Sequence, residues 1–439
     1  AAVGEGATHK GGVDSTAVAL AERLIAYVKT APDIDAGRIR PFHLADSWGV
    51  DRRALLVVCL DAVDVGLLEL KWELICPSCR TRAEAVDTLA DLREHVYCQM
   101  CDLSVELDLD RAVEATFRAA PGVRSVEDGP FCTGGPARTP HVVAQVILPA
   151  GEHAELGVPD ALGRYRLMVR GGASASVEVA KGAGAAVTLI AKDALEPGHV
   201  VVAPGGTLRV EESQGQERHV KLEHLAWASQ AASAHYLTTL PMFRRVFSSE
   251  ILRPELMLKV SRVALLFSDL TASTRLYTVR GDATAFRVVQ DHFQLMREIV
   301  SLHEGTFVKT IGDAVMASFA DELDALAAAV TMQREFSRFA REHHLDENVR
   351  LKLGVSAGSC YVVTANGILD YFGQSVNIAA RLQGRAGGGE IVVTKSLCDL
   401  ARAHQRLDGC HESEHFATTL KGMDAPIDAV RLQVLGGAG

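Results

Sequence analysis

The chain has 439 residues, with 45 lysines and arginines against 55 aspartates and glutamates and a formal net charge of −10. That length exceeds what one hydrophobic core supports and predicts two to four domains. The acidic balance argues against nucleic-acid binding and against an anionic membrane surface.

No apolar run, ALLVVCL included, approaches the roughly 18 residues of a membrane span. The opening AAVGEGATHKGG lacks the basic and apolar regions of a secretory signal. A soluble, cytoplasmic protein with no membrane partner is expected, and the missing initiator methionine suggests a trimmed or fragmentary chain.

Residues 1–71 read as a helical, winged-helix-like module, because RPFHLADSWGVDRRALLVVCLDAVDVGLLELKW runs helix, glycine turn, helix, short strand. A DNA-reading role would use Arg52 and Arg53 at the start of the second helix. That helix continues apolar and acidic where a phosphate-facing helix is basic, which favours protein interaction or regulation. Residues 72–108 come next as a zinc ribbon. Cys76-Pro-Ser-Cys79 and Cys98-Gln-Met-Cys101 are two C-x2-C knuckles able to present four thiolates to one structural Zn2+ per chain. Cys59, Cys132, Cys360, Cys398 and Cys410 have no ligand spacing.

In residues 109–225, HVVAQVIL, YRLMVRG, SVEVA, AVTLIA, HVVVAPG and TLRVEE alternate apolar and polar positions between glycines and prolines. They predict a small β-sandwich or barrel. RGGASAS and KGAGAAV lack the lysine and serine order of a phosphate loop and are expected as hairpin turns. Residues 226–259 read as a helical connector punctuated by Pro241 and Pro254, placed to couple an N-terminal regulatory half to the C-terminal segment.

The last segment, 260–437, predicts a strand at 263–268, helices after Thr271, a hairpin at 306–319, and a long helix through DELDALAAAVTMQREFSRFAREH. A strand LKLGVSAG and a helix carrying Asn377 complete it. Asp269 in VALLFSDLTAST and Asp313 in FVKTIGDAVMASF each close or punctuate an apolar run, so the backbone pins both at a sheet edge where a cation and a triphosphate could reach them. Asn377 and Arg381 stand four residues apart, on one helix face. Their amide and guanidinium suit a sugar and a phosphorus centre gathering negative charge. Thr271, Ser273 and Thr274 open a helix whose free amides suit phosphate. Taken singly, Gly312-Asp313 is a common turn pair and Asn377 with Arg381 a solvated helix face. Their joint occurrence in order carries the chemistry.

From Ser261 to Gln433 the chain resembles the catalytic domain of the class III nucleotidyl cyclases. The resemblance implies an α+β, ferredoxin-like fold preceded by the winged-helix-like segment, the zinc ribbon and the β-rich module, as in some bacterial soluble cyclases. It implies two Mg2+ or Mn2+ ions per active site on Asp269, Asp313 and the Leu270 backbone, with Asn377 and Arg381 as the transition-state pair. Lys309 and Asp370 become the base-reading pair and Lys421 a triphosphate ligand. A lysine ammonium suits adenine N1 and an aspartate carboxylate its N6 amino group, so ATP is the expected substrate. Cyclic AMP and pyrophosphate would be the products, made by a head-to-tail homodimer with shared sites. Alternatives are a guanylate or other nucleotide cyclase, or a catalytically silent nucleotide-binding regulator. A diguanylate-cyclase-type domain is disfavoured, because IGDAV stands where that family needs a GGDEF-like turn. What regulatory ligand or protein the N-terminal half meets is not written in these residues.

Overall fold

The computed structural model describes residues 15–101, 103–126, 139–170, 173–225, 230–247, 249–407, 409–419 and 426–435. Two compact units emerge. The first comprises residues 1–87, 95–106 and 114–232, the second 88–94, 107–113 and 233–439. Among the described residues no helix is long and apolar enough to cross a membrane.

In the first unit the helices Ser15–Thr30, Asp33–Ala36, Pro41–Trp48 and Arg52–Asp64 precede the strand Leu68–Ile75. Gly49, at φ 66°, ends one helix in the left-handed conformation, and the Asp51 carboxylate caps the next by accepting from the Ala54 amide at 2.7 Å. Leu68–Ile75 is the centre of a three-stranded sheet with Arg82–Val86 and Val113–Ala119.

The β-rich part is a pair of sheets. Five strands run in the order His199–Val202, Ser174–Val179, Gly163–Val169, Arg218–His224, Val142–Leu148, and four run Leu195–Glu196, Ala186–Ala191, Thr207–Glu212, His153–Gly157. Alternate residues of both sheets, among them Leu167, Val177, Leu189, Val210 and Leu222, close one apolar core. One expectation fails here: KGAGAAV is no hairpin turn, since Ser174–Val179 and Ala186–Ala191 lie in different sheets and this loop carries the chain between them. Glycines at turn spacing mark where the chain reverses without saying which strand it will pair with.

The second unit opens with two short helices, Ala234–Thr238 and Pro241–Val246. Among the described residues of the connector these two helices are separated at Leu240, and Pro241 opens the second. Then come β1 (Leu258–Leu270), α1 (Ser273–Arg280), α2 (Asp282–Leu302), β2 (Thr306–Ile311), β3 (Ala314–Phe319), α3 (Glu322–Glu342), β4 (Leu351–Ala365), β5 (Ile368–Phe372) and α4 (Gln374–Arg385). After them stand β6 (Glu390–Thr394), α5 (Lys395–Ala403), β7 (Cys410–Thr418) and β8 (Ile427–Val434). The sheet order is β2-β3-β1-β4-β6-β8-β7, with β5 on the far half of β4. All pairings are antiparallel except β4 with β6. Both β1 and β4 outrun the expected strands. Their outer halves pair with each other from Leu258 to Val260, beyond a register shift that ends at Val263.

Helices α2 and α3 bury an apolar stripe against the sheet, with Phe293, Met296, Ile299, Leu326, Met332 and Phe336 meeting Leu266, Ala317, Leu353 and Ile391. Helix α4 packs at Gly354 of β4. A Cβ there would fall inside contact distance of the Gln383 backbone nitrogen and the Ala379 carbonyl. Overpacking of this kind costs about 1–3 kcal/mol or more. Gly354→Val should therefore lower the melting temperature and lift α4, whereas Gly384→Ala, whose Cβ meets nothing within 4 Å, should be near neutral; thermal denaturation of both variants checks this.

Candidate active site

Asp269 is the penultimate residue of β1, and the β1–β3 register, with Ser268 opposite Val315, sets it beside the β2–β3 turn that carries Asp313. Gly312, at φ 66°, makes that tight turn. Asp313 Oδ2 is buried and has no hydrogen-bond partner among the described residues. A carboxylate oxygen withdrawn from water without a donor is costly, and a cation would complete it. Asp269, 26% exposed, is held by the Lys352 ammonium at 2.6 Å and the Gln383 amide at 3.3 Å. The two carboxylates thus fit a divalent metal, with Lys352 as the positive charge standing against one of them. Leu270 ends β1 opposite Leu351, buried.

The loop after Asp269 leads into the expected helix, fastened on the way at Thr271. Thr271 Oγ accepts from the Arg350 amide at 2.8 Å and donates to the Asn348 carbonyl, which fastens the loop to the entry of β4. Helix α1 starts at Ser273 with Ala272 in a left-handed conformation and no side-chain cap, and Thr274 is exposed. Lys421 lies outside the described residues.

Lys309 and Asp370, 61 residues apart, are brought together: the Lys309 ammonium meets Asp370 Oδ2 at 2.5 Å, and the Tyr371 amide donates to Oδ1 at 2.8 Å. The carboxylate side chain is only 7% exposed. Both supporting strands are clamped from one side. Thr306, which starts β2, donates to the Thr239 carbonyl, and Arg244 donates to the Leu369 carbonyl at 3.1 Å and the Thr238 carbonyl at 3.0 Å.

Asn377 is exposed and Arg381 half-buried on α4, and neither side chain has an ion pair or hydrogen bond among the described residues. Gln383, which reaches Asp269, lies two residues on, about 200° around the helix. Within one chain the face bearing Asn377 and Arg381 is therefore turned off Asp269.

Sequence reasoning missed Lys352 and Gln383. The register places Lys352 directly opposite Asp269, but a lysine in LKLGVSAG carries no signal without that pairing. It also missed His292, which is fully buried among Phe293, Phe336 and Phe339. Burial pushes its imidazole down to about 4, against a weaker opposite pull from Asp269, so it stays neutral at physiological pH.

In the first unit Cys76, Cys79, Cys98 and Cys101 are all buried with their sulfurs within 4.8 Å of one another. Cys79 and Cys98 stand 3.6 Å apart and Cys76 and Cys101 4.0 Å. Tetrahedral zinc at about 2.3 Å per thiolate requires sulfur separations of roughly 3.8 Å. The four sulfurs fit such an ion.

Residues 257–423 match the family described as adenylate and guanylate cyclase catalytic domain, and residues 8–130 match a family of unknown function, DUF5939. A putative adenylate cyclase 3 of Rhizobium meliloti is 25% identical over 168 residues, 38% of this chain and 26% of its own length. An adenylate cyclase of Mycosarcoma maydis is 32% identical over 158 residues, 31% of this chain and 6% of its own. The chain thus spans about a quarter or less of these two relatives' lengths. The crystal structure of the adenylyl cyclase CyaB from P. aeruginosa aligns at 20% identity and a TM-score of 0.36, covering 40% of this chain and 95% of its own. The C-terminal part of this chain is a class III adenylate and guanylate cyclase catalytic domain.

Proposed function

We propose that the chain is an adenylate cyclase that converts ATP to 3′,5′-cyclic AMP and pyrophosphate at sites shared by two copies. The observation that carries the substrate choice is the Lys309–Asp370 pair at 2.5 Å. An ammonium that donates to adenine N1 and a carboxylate that accepts from its N6 amino group read one edge, and guanine reverses that edge. Because Asp370 is shielded from water and fixed by the Tyr371 amide, a mismatched base would leave buried polar groups unpaired.

Asp269 and Asp313 would hold two magnesium or manganese ions, which when bound supply the field that acidifies the ribose 3′-hydroxyl and grips the triphosphate. The 3′-oxygen attacks the α-phosphorus in line as the bond to the pyrophosphate oxygen breaks. Asn377 holds the ribose so that the attack angle is kept, and Arg381 takes up charge on the α-phosphoryl oxygens. Lys352 stands on Asp269 at 2.6 Å, so it must yield that carboxylate when the site fills. No covalent enzyme intermediate is required.

Sharing between copies is supported by the orientation of α4, which turns Arg381 away from Asp269 of its own chain. Exposed Ile311 (50%), Tyr361 (41%) and Phe372 (68%) on β2, β4 and β5 offer apolar surface to a second copy. In the first unit the four cysteines are proposed to hold one structural zinc per chain, since their thiolates converge at the right spacing.

The double variant Lys309→Glu, Asp370→Ser should lose at least about 10²-fold in kcat/KM for ATP and gain in relative preference for GTP; unchanged selectivity among purified nucleoside triphosphates sinks the base-reading assignment. Arg381→Ala should lower kcat by about 10² to 10³ with little change in KM. Mixing it with Asp269→Ala should restore activity in proven heterodimers, and silence there excludes the shared site. Metal analysis of the purified chain should find about one tightly held zinc, and Cys76→Ser with Cys98→Ser should release it and melt the first unit alone. Four freely reactive thiols in the native protein would contradict this.

A further inference from the structure

Asp269 has two partners of different kind within its own chain. The β1–β4 register sets Phe267 opposite Gly354 and Asp269 opposite Lys352, and because alternate residues of a strand share a face, all four stand on one side of the sheet. Helix α4 covers that side. A Cβ at Gly354 would run into the Gln383 backbone, so the main chain of residue 383 is pinned over a strand position two residues from Lys352.

From there the half-buried Gln383 side chain reaches Asp269 Oδ2 at 3.3 Å, the same oxygen that the Lys352 ammonium meets at 2.6 Å. Facing a carboxylate, the amide presents its NH2, because its own oxygen would set one acceptor against another. Among the described residues the Asp269 carboxylate has no third hydrogen-bond partner.

The two donors answer an incoming cation in opposite ways. An ammonium is a compact full charge, which repels a divalent ion placed on the same carboxylate. A carboxamide donates without net charge. Its hydrogen bond is therefore compatible with a bound metal, and a carboxylate held from behind in this way does not turn away from the ion. Groups that orient a ligand so contribute to metal affinity without touching the metal. A cation at this place is called for independently by Asp313 Oδ2, buried and without a hydrogen-bond partner among the described residues.

We propose that Gln383 is the positioning residue of this metal site, its neutral amide holding Asp269 Oδ2 while a divalent cation displaces Lys352. The inference rests on the reading of Asp269 and Asp313 as metal ligands and deepens it.

Mn2+ titrated alone into the full chain, with the free ion followed by electron paramagnetic resonance, tests this; the binding counted is the part that Asp269→Ala removes. Gln383→Met keeps the length of the side chain and Gln383→Ala keeps only its Cβ. Each should weaken Mn2+ about ten- to a hundredfold, whereas Lys352→Met should tighten it. In the cyclase assay the Mn2+ concentration at half-maximal turnover should rise in parallel for Gln383→Met, where a purely structural defect would lower turnover by one factor at every Mn2+ concentration. Circular dichroism and the melting temperature establish which variants are folded. The proposal alone is overturned if a folded Gln383 variant binds Mn2+ as tightly as the unaltered chain, or if Lys352→Met weakens binding as much as Gln383→Met does. If no Mn2+ binding up to millimolar concentration is removed by Asp269→Ala, the metal reading falls and this proposal falls with it.

Discussion

Helix α4 can lie against β4 only because position 354 has no side chain, and most of the catalytic geometry depends on that approach. With the Gln383 nitrogen and Ala379 carbonyl pressed onto the strand, the helix azimuth is fixed. That azimuth brings the Gln383 amide to Asp269 and turns Asn377 and Arg381 outward. The amphipathic face supports the same setting, since Ala379 and Leu382 are buried while Asn377 is exposed. A helix a few degrees rotated would lose one contact or the other. Backbone packing thus decides how Arg381 is turned relative to Asp269 of its own chain.

The Lys309–Asp370 pair rests on a second constraint. A buried carboxylate beside an ammonium contributes little net stability, because desolvation offsets the attraction. In the proposed function its value lies in leaving two polar groups that only a matched base edge satisfies. For that the two strands must not drift, and the clamp from Thr239 and Arg244 holds the start of β2 and the Leu369 carbonyl next to Asp370. Thr239 and Arg244 of the second unit therefore act as a buttress one residue from Asp370.

Alternation, turn glycines and helix periodicity made most of this unit legible: the β2–β3 hairpin, the long α3 and the α4 face carrying Asn377 and Arg381 come from local pattern alone. Lys309 and Asp370 could be paired only through family resemblance, since nothing local joins residues 61 positions apart. Lys352 and Gln383 were invisible because their meeting with Asp269 is a product of strand register and helix azimuth. KGAGAAV was misread for a related reason: a turn signal is local, but the sheet a strand joins is settled by the whole core. The fully buried His292 sits in helix α2 among aromatic rings, and periodicity gives its position without revealing that both ring nitrogens lack hydrogen-bond partners among the described residues.

Where the catalytic unit begins was equally hidden. Residues 107–113 run beside the start of β1, with the Leu109 amide donating to the Lys259 carbonyl at 2.9 Å and Ser261 to Asp108 at 2.5 Å. Residues 88–94 join through the Leu89 amide on Glu250 at 2.8 Å and Arg253 on the Leu92 carbonyl at 2.8 Å. A boundary drawn at residue 260 would strip the outer half of β1 of these partners and leave backbone groups there unpaired, at a cost each comparable to a lost hydrogen bond. The segment between these two pieces, 95–106, carries Cys98 and Cys101. Cys98 and Cys101 are thus bracketed in sequence by two pieces of chain that belong to the second unit, which no local pattern in the sequence announces.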